Sequence, residues 1–169
     1  MSGEPRLDCD ASLDRASALT GTPATADAVI FKVHEGASCH CFHCWPETWA
    51  SVNDFIGSQG PIEDEGDLLL GTGDDSYVLE CHESGPEVVA YVGAGASVVS
   101  AIAAVIAVIV AARRQEARQP PRPLKLTITH ARRGFFDEEI SVTLEAPAGT
   151  DLERMIATQV ESALRRREQ

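Results

Sequence analysis

The order of apolar and polar positions divides the chain into five stretches. Residues 1–27 show no apolar run and no periodic face, so they read as a disordered polar tail. Ala28-Val29-Ile30-Phe31-Lys32-Val33 is rich in β-branched and aromatic residues and predicts a strand. Pro46 to Ile56 predicts a short amphipathic helix, because Pro46 suits a first helical turn, Trp49, Val52, Phe55 and Ile56 share one face, and Gly57 stops it. Asp67-Leu68-Leu69-Leu70 and Ser76 to Cys81, joined by a turn of glycines and aspartates, predict a hairpin. Residues 28–87 are therefore expected to form a small β-α-β-β head.

Val88 to Ala112 then runs for 25 residues with no charge, amide side chain or proline. As a helix it would measure roughly 37 Å, against roughly 30 Å for the hydrocarbon core of a bilayer, so residues 88–112 predict a transmembrane helix. The rival expectation is a helix buried in the core of a soluble oligomer. Gly93, Ser97, Ser100, Ala104, Ala107 and Ala111 recur at spacings of four and three. Small residues let two helix backbones approach closely, so this stripe predicts a homo-oligomer.

Residues 113–123 form a basic connector whose Gln119-Pro120-Pro121-Arg122-Pro123 cannot continue a helix. Residues 124–169 predict a ββα unit. Leu124, Leu126 and Ile128, and then Ile140, Val142 and Leu144, alternate with polar residues as in half-buried strands. Thr150 or Asp151 caps a helix with Leu152, Met155, Ile156, Val160 and Leu164 on one face. The expected class is α+β: a head, one long apolar helix and a small C-terminal unit.

Charge adds a direction to this plan. Residues 1–87 carry seventeen acids against three bases, whereas residues 113–169 carry eleven bases and nine acids. Such an acidic half argues against nucleic acid as a partner, since phosphate neutralisation needs clustered lysine and arginine. Arg113, Arg114, Arg118, Arg122 and Lys125 follow the apolar run closely, so the positive-inside rule expects a single-pass membrane protein with its C-terminal unit in the cytoplasm.

Candidate chemistry concentrates in Cys39-His40-Cys41-Phe42-His43-Cys44, with Cys81-His82 farther on. Cys41 and Cys44 have the spacing at which two thiolates grip one Zn²⁺, and Cys81 with Cys39 or His82 completes a tetrahedral set. Structural zinc is therefore expected at Cys39, Cys41, Cys44, Cys81 and His82, with buried thiols or ordinary disulfides as the competing reading. A strand, then C-F-H-C, then a helix is also similar in local order to thioredoxin-like enzymes, although Pro46 starts the helix after Cys44 and too few βα units follow. No catalytic residue can be nominated from spacing. The chain reads as a non-enzymatic adaptor or membrane effector, with lipid, its own copies and a protein as partners. The alternatives are a membrane-tethered thiol oxidoreductase using Cys41 and Cys44, and a soluble assembly protein.

Overall fold

The computed structural model of the chain describes residues 4–23, 25–35, 44–57, 62–65, 68–73, 77–82, 85–93, 95–116, 124–144 and 150–165. The fold is α+β. In chain order the elements are α1 (Glu4–Thr20), β1 (Ala28–His34), α2 (Pro46–Gly57), β2 (Ile62–Glu65), β3 (Leu68–Gly73), β4 (Tyr77–His82), β5 (Gly85–Tyr91), α3 (Ala96–Glu116), β6 (Lys125–Arg132), β7 (Phe135–Thr143) and α4 (Thr150–Arg165). The expected strand at Ala28, the helix at Pro46, the hairpin and the ββα unit are all present.

The strands join in one antiparallel sheet of order β2-β3-β4-β5-β1-β6-β7. Strands from before and after the apolar helix are thus neighbours. β1 pairs antiparallel with β5 on one side and with β6 on the other, with Phe31 opposite both Val88 and Ile128. β5 and β6 therefore run parallel to each other with β1 between them. Parallel strands require a crossover, and α3 is that crossover.

The apolar run holds two elements where the sequence predicted one. Val88 to Tyr91 end β5, a turn follows in which Gly93 has φ +89°, and α3 begins only at Ala96. The two merge in the sequence for a physical reason. β5 is covered on both faces, and its last four positions, Val88 to Tyr91, are apolar without a break, so they lack the alternation that would separate them from a core helix.

Alternation decides which side of the sheet each residue serves. Val29, Phe31, Val33, Tyr77, Leu79, Val88, Ala90, Leu126 and Ile128 face a layer made by α2, α3 and α4. α3 lies against the sheet through Val99, Ile102, Ala103, Val105, Ile106, Ile109 and Val110, and packs against both α2 and α4. Trp49 and Val52 of α2, and Leu152, Ile156, Val160 and Leu164 of α4, close this core.

The opposite face of the sheet is covered by α1, in the stretch expected to be a disordered tail. Leu13 and Ala16 pack on Ala28, Ile30, Val78, Val89 and Ala131, with Cys9 and Leu19 at the margin. Leu13 is the one large apolar side chain of this helix that is buried among the described residues, and its burial is worth about 2 kcal/mol. So sparse an apolar face gives no helical period to read, and polar contacts carry much of the docking.

Candidate functional site

Of the five expected metal ligands, Cys39 and Cys41 lie outside the described residues. Cys44 is exposed just before α2, and Cys81 and His82 lie at the end of β4, where Cys81 is opposite Leu69 and Pro86 and His82 is opposite Gly85. Among the described residues no group of three or more metal-ligating side chains comes together.

The structure does define both ends of the cysteine and histidine loop. Glu35 at its start and Trp45 at its finish meet the same side chain, Arg113 of α3. Arg113 donates through Nε and Nη2 to Glu35 at 2.6 and 3.3 Å, and its guanidinium carbon lies 4.6 Å from the centre of the Trp45 ring. Burial by itself would loosen its proton, but its hydrogen bond to Glu35 and the charges of Glu35 and Glu116 more than offset this and raise its pKa. Arg113 is therefore a permanent cation at the foot of the loop. Arg114, the second of the pair expected to mark a membrane boundary, donates to the Leu144 carbonyl at 2.8 Å.

One turn on, Glu116 reaches the start of α2. Its carboxylate accepts the backbone N–H groups of Glu47 and Thr48 at 3.0 and 3.2 Å, and the Thr48 hydroxyl at 2.5 Å. The Trp45 carbonyl accepts the first helical bond, from Trp49 N–H at 3.0 Å, which makes Trp45 the cap residue and places Cys44 outside the helix. A helix N-terminus can lower a thiol's pKa through those first N–H groups. Here they are committed to Glu116, which weakens the oxidoreductase reading at Cys44.

The outward side of α3 forms a second candidate surface. Ser97, Ser100 and Ala111 are exposed, while Ala101, Ala104, Ala107 and Val108 are half-buried. Of the predicted small stripe, Ser97, Ser100 and Ala111 are thus exposed, Ala104 is half-buried, Ala107 packs at the margin of the core, and Gly93 lies in the turn before the helix. No charge occurs on α3 before Arg113, and among the described residues it is the one helix long and apolar enough to cross a membrane.

A third cluster lies beneath α1, and nothing in the sequence pattern signalled it. Glu80 of β4, Glu87 of β5 and Lys32 of β1 form a cross-strand row in register. Arg15 of α1 clamps Glu80 through Nε and Nη2 at 2.8 and 3.0 Å, the Ser12 hydroxyl lies 3.1 Å from Glu80 and 2.7 Å from Glu87, and Lys32 stands 3.8 Å from Glu87. Two carboxylates directly opposite each other repel, and the two cations return the cluster to neutrality. Ser12 and both glutamates are buried.

Comparison with protein-family models, curated proteins and solved structures finds no match to this chain.

Proposed function

We propose that the protein is a non-enzymatic adaptor that works as a soluble assembly, with two copies meeting at the outward face of α3. The supporting observation is the position of that helix, with its inner face filled by the sheet and its outer face, from Ser97 to Ala111, uncharged and lined by small residues. A chain of net charge −12 repels its own copies over most of its surface. Association therefore needs an uncharged meeting face, and small side chains there allow close helix approach. In this reading Cys39, Cys41, Cys44, Cys81 and His82 hold a structural Zn²⁺ that ties the loop after β1 to the end of β4.

The length and composition of α3 favour a second reading, a single-pass membrane effector with its C-terminal unit in the cytoplasm. That reading requires α3 to leave the sheet. Departure would strip the core of seven buried side chains and break the Arg113 and Glu116 contacts, so we rank it second.

Sedimentation velocity of the full chain in detergent-free buffer tests the proposal. The unmodified chain should sediment as a dimer. Ser100→Glu, which places a charge at an exposed position of the outer face, should give a monomer with unchanged Trp45 and Trp49 emission. A monomeric unmodified chain, or a dimer indifferent to Ser100→Glu, would overturn it.

A further inference from the structure

The chain has 26 acidic residues and only two lysines, Lys32 and Lys125. The lysines are far apart in the sequence, and the sheet brings them together. β1 and β6 pair antiparallel with Lys32 opposite Thr127 and His34 opposite Lys125. Positions two apart on a strand share a face, so these four side chains stand at the corners of one rectangle, about 5 Å across the strands and about 7 Å along them, with the lysines at opposite corners. Val33 and Leu126, the positions between, turn into the three-helix core. The rectangle therefore lies on the face that α1 partly covers, where Ala28 and Ile30 sit under the helix and Lys32 and His34 continue their row.

Solvent reaches this rectangle from the β7 side. Lys125 is exposed, as are Thr143 and Ser141, which lie opposite Lys125 and Thr127 on β7, while Lys32, His34 and Thr127 are half-buried. His34 Nε2 and Thr127 Oγ1 are 2.7 Å apart, which holds these two side chains against each other. On the other flank Lys32 stands 3.8 Å from Glu87, whose carboxylate also takes the Ser12 hydroxyl at 2.7 Å. An ammonium carries three donors and can serve more than one acceptor. Two ammonium groups drawn to one rectangle repel each other, and an anion between them turns that repulsion into attraction.

We propose that this rectangle binds a single phosphate group, held between the ammonium groups of Lys32 and Lys125 and hydrogen-bonded by the Thr127 hydroxyl. A phosphate dianion balances two ammonium groups, and its tetrahedral oxygens let lysines from opposite corners reach different atoms. A carboxylate, with one charge and two oxygens in a plane, would satisfy only one of them. When His34 donates through Nε2 to Thr127 Oγ1, the hydroxyl keeps its own proton to give to a third phosphate oxygen. The net charge of −12 repels anions at long range, so one that stays is held by local donors. Two lysines match one phosphate group and are too few for a nucleic-acid backbone. The ligand is thus inorganic phosphate or a small phosphate monoester.

A chain with two lysines makes the test direct, because ¹³C-lysine labelling of the full chain gives one Cε resonance for each. Inorganic phosphate and phenyl phosphate are titrated separately at pH 7, replacing chloride at constant ionic strength. Both resonances should shift along one saturation curve with a single dissociation constant. The tighter of the two ligands tells whether the site takes free phosphate or phosphate carried on an organic molecule. Lys125→Ala, at an exposed position, should weaken the Lys32 response at least ten-fold while Trp45 and Trp49 emission stays native. Should that variant fail to fold, the agreement of the two curves in the unmodified chain decides alone. No saturation with either ligand, different constants at the two lysines, or a Lys32 response that survives in folded Lys125→Ala would overturn the proposal. The rectangle lies across the sheet from α3, so neither arm depends on the α3 dimer.

Discussion

Glu116 near the end of α3 caps the start of α2, taking the Thr48 backbone N–H at 3.2 Å and the Thr48 hydroxyl at 2.5 Å. A helix ordinarily finds its cap in the residue just before it, and here that residue is Trp45, whose side chain offers no acceptor oxygen. The acceptor comes instead from 68 positions along the chain, so formation of α2 is coupled to the seating of α3. Glu116→Ala should therefore cost about 1–2 kcal/mol, the usual value of a helix cap, read by urea unfolding monitored through tryptophan emission. A change below a few tenths would mean that water replaces the cap.

Arg113 and Glu35 form a two-pronged pair beside Trp45. Arg113→Ala leaves Glu35 without that partner and should cost about 2–4 kcal/mol, whereas the Arg113→Ala/Glu35→Gln pair should cost clearly less than the sum of the two single changes. A base whose pKa is raised by folding contributes stability that is complete below its unfolded value and is lost only above its folded one. For Arg113 both lie far above the pH at which the folded chain is handled, so the cost of Arg113→Ala should be equal at pH 7 and pH 9.5. Urea unfolding at the two pH values checks this.

What was legible in the sequence follows from which elements have one wet face. α2, β6 and α4 have such a face or begin with a recognisable start signal, while β1, buried on both faces, is set off by the polar segments on either side of its β-branched run; all four were predicted at nearly their observed places. α1 escaped because its docking rests on Arg15 and Ser12 against the acids of β4 and β5 and on Asp10 and Asp14 against Gly134 and Arg133, residues that look like a solvated tail in the sequence. β5 escaped because both its faces are covered. The Arg113 and Arg114 pair was visible but ambiguous, since a cluster of positive charge after an apolar run looks the same whether it meets a lipid head group or Glu35 and the Leu144 carbonyl. Of the expected zinc ligands, Cys39 and Cys41 fall outside the described residues.

His130 of β6 is buried, with Nε2 2.8 Å from the Ala163 carbonyl in the last turn of α4. The Gly93 N–H reaches the neighbouring Leu164 carbonyl at 3.4 Å. His130 thus satisfies one of the carbonyls that every helix leaves open at its C-terminus. His130→Phe should cost about 1–3 kcal/mol, and His130→Gln, which keeps a donor, should recover part of it. Equal losses in the two variants by thermal unfolding would assign His130 a packing role only.

The zinc proposal makes a separate demand. Purified full-length chain should carry about one equivalent of zinc by elemental analysis, and chelation should lower its stability. Substituting Cys41 and Cys44 by serine should remove the metal. Metal-free protein with a Cys41 to Cys44 disulfide that cycles with a dithiol would favour the oxidoreductase reading instead.

The central claim is that α3 is the crossover helix of a seven-stranded sheet, and carbonate extraction of membranes from cells expressing the full chain tests it most directly. The account predicts that the chain is recovered in the soluble fraction, folded without detergent. Ile106→Arg, which buries a charge against the sheet, should make the chain aggregate or be degraded. Retention of the unmodified chain in carbonate-washed membranes, with release by Ile106→Arg, would contradict the account and place α3 in the bilayer.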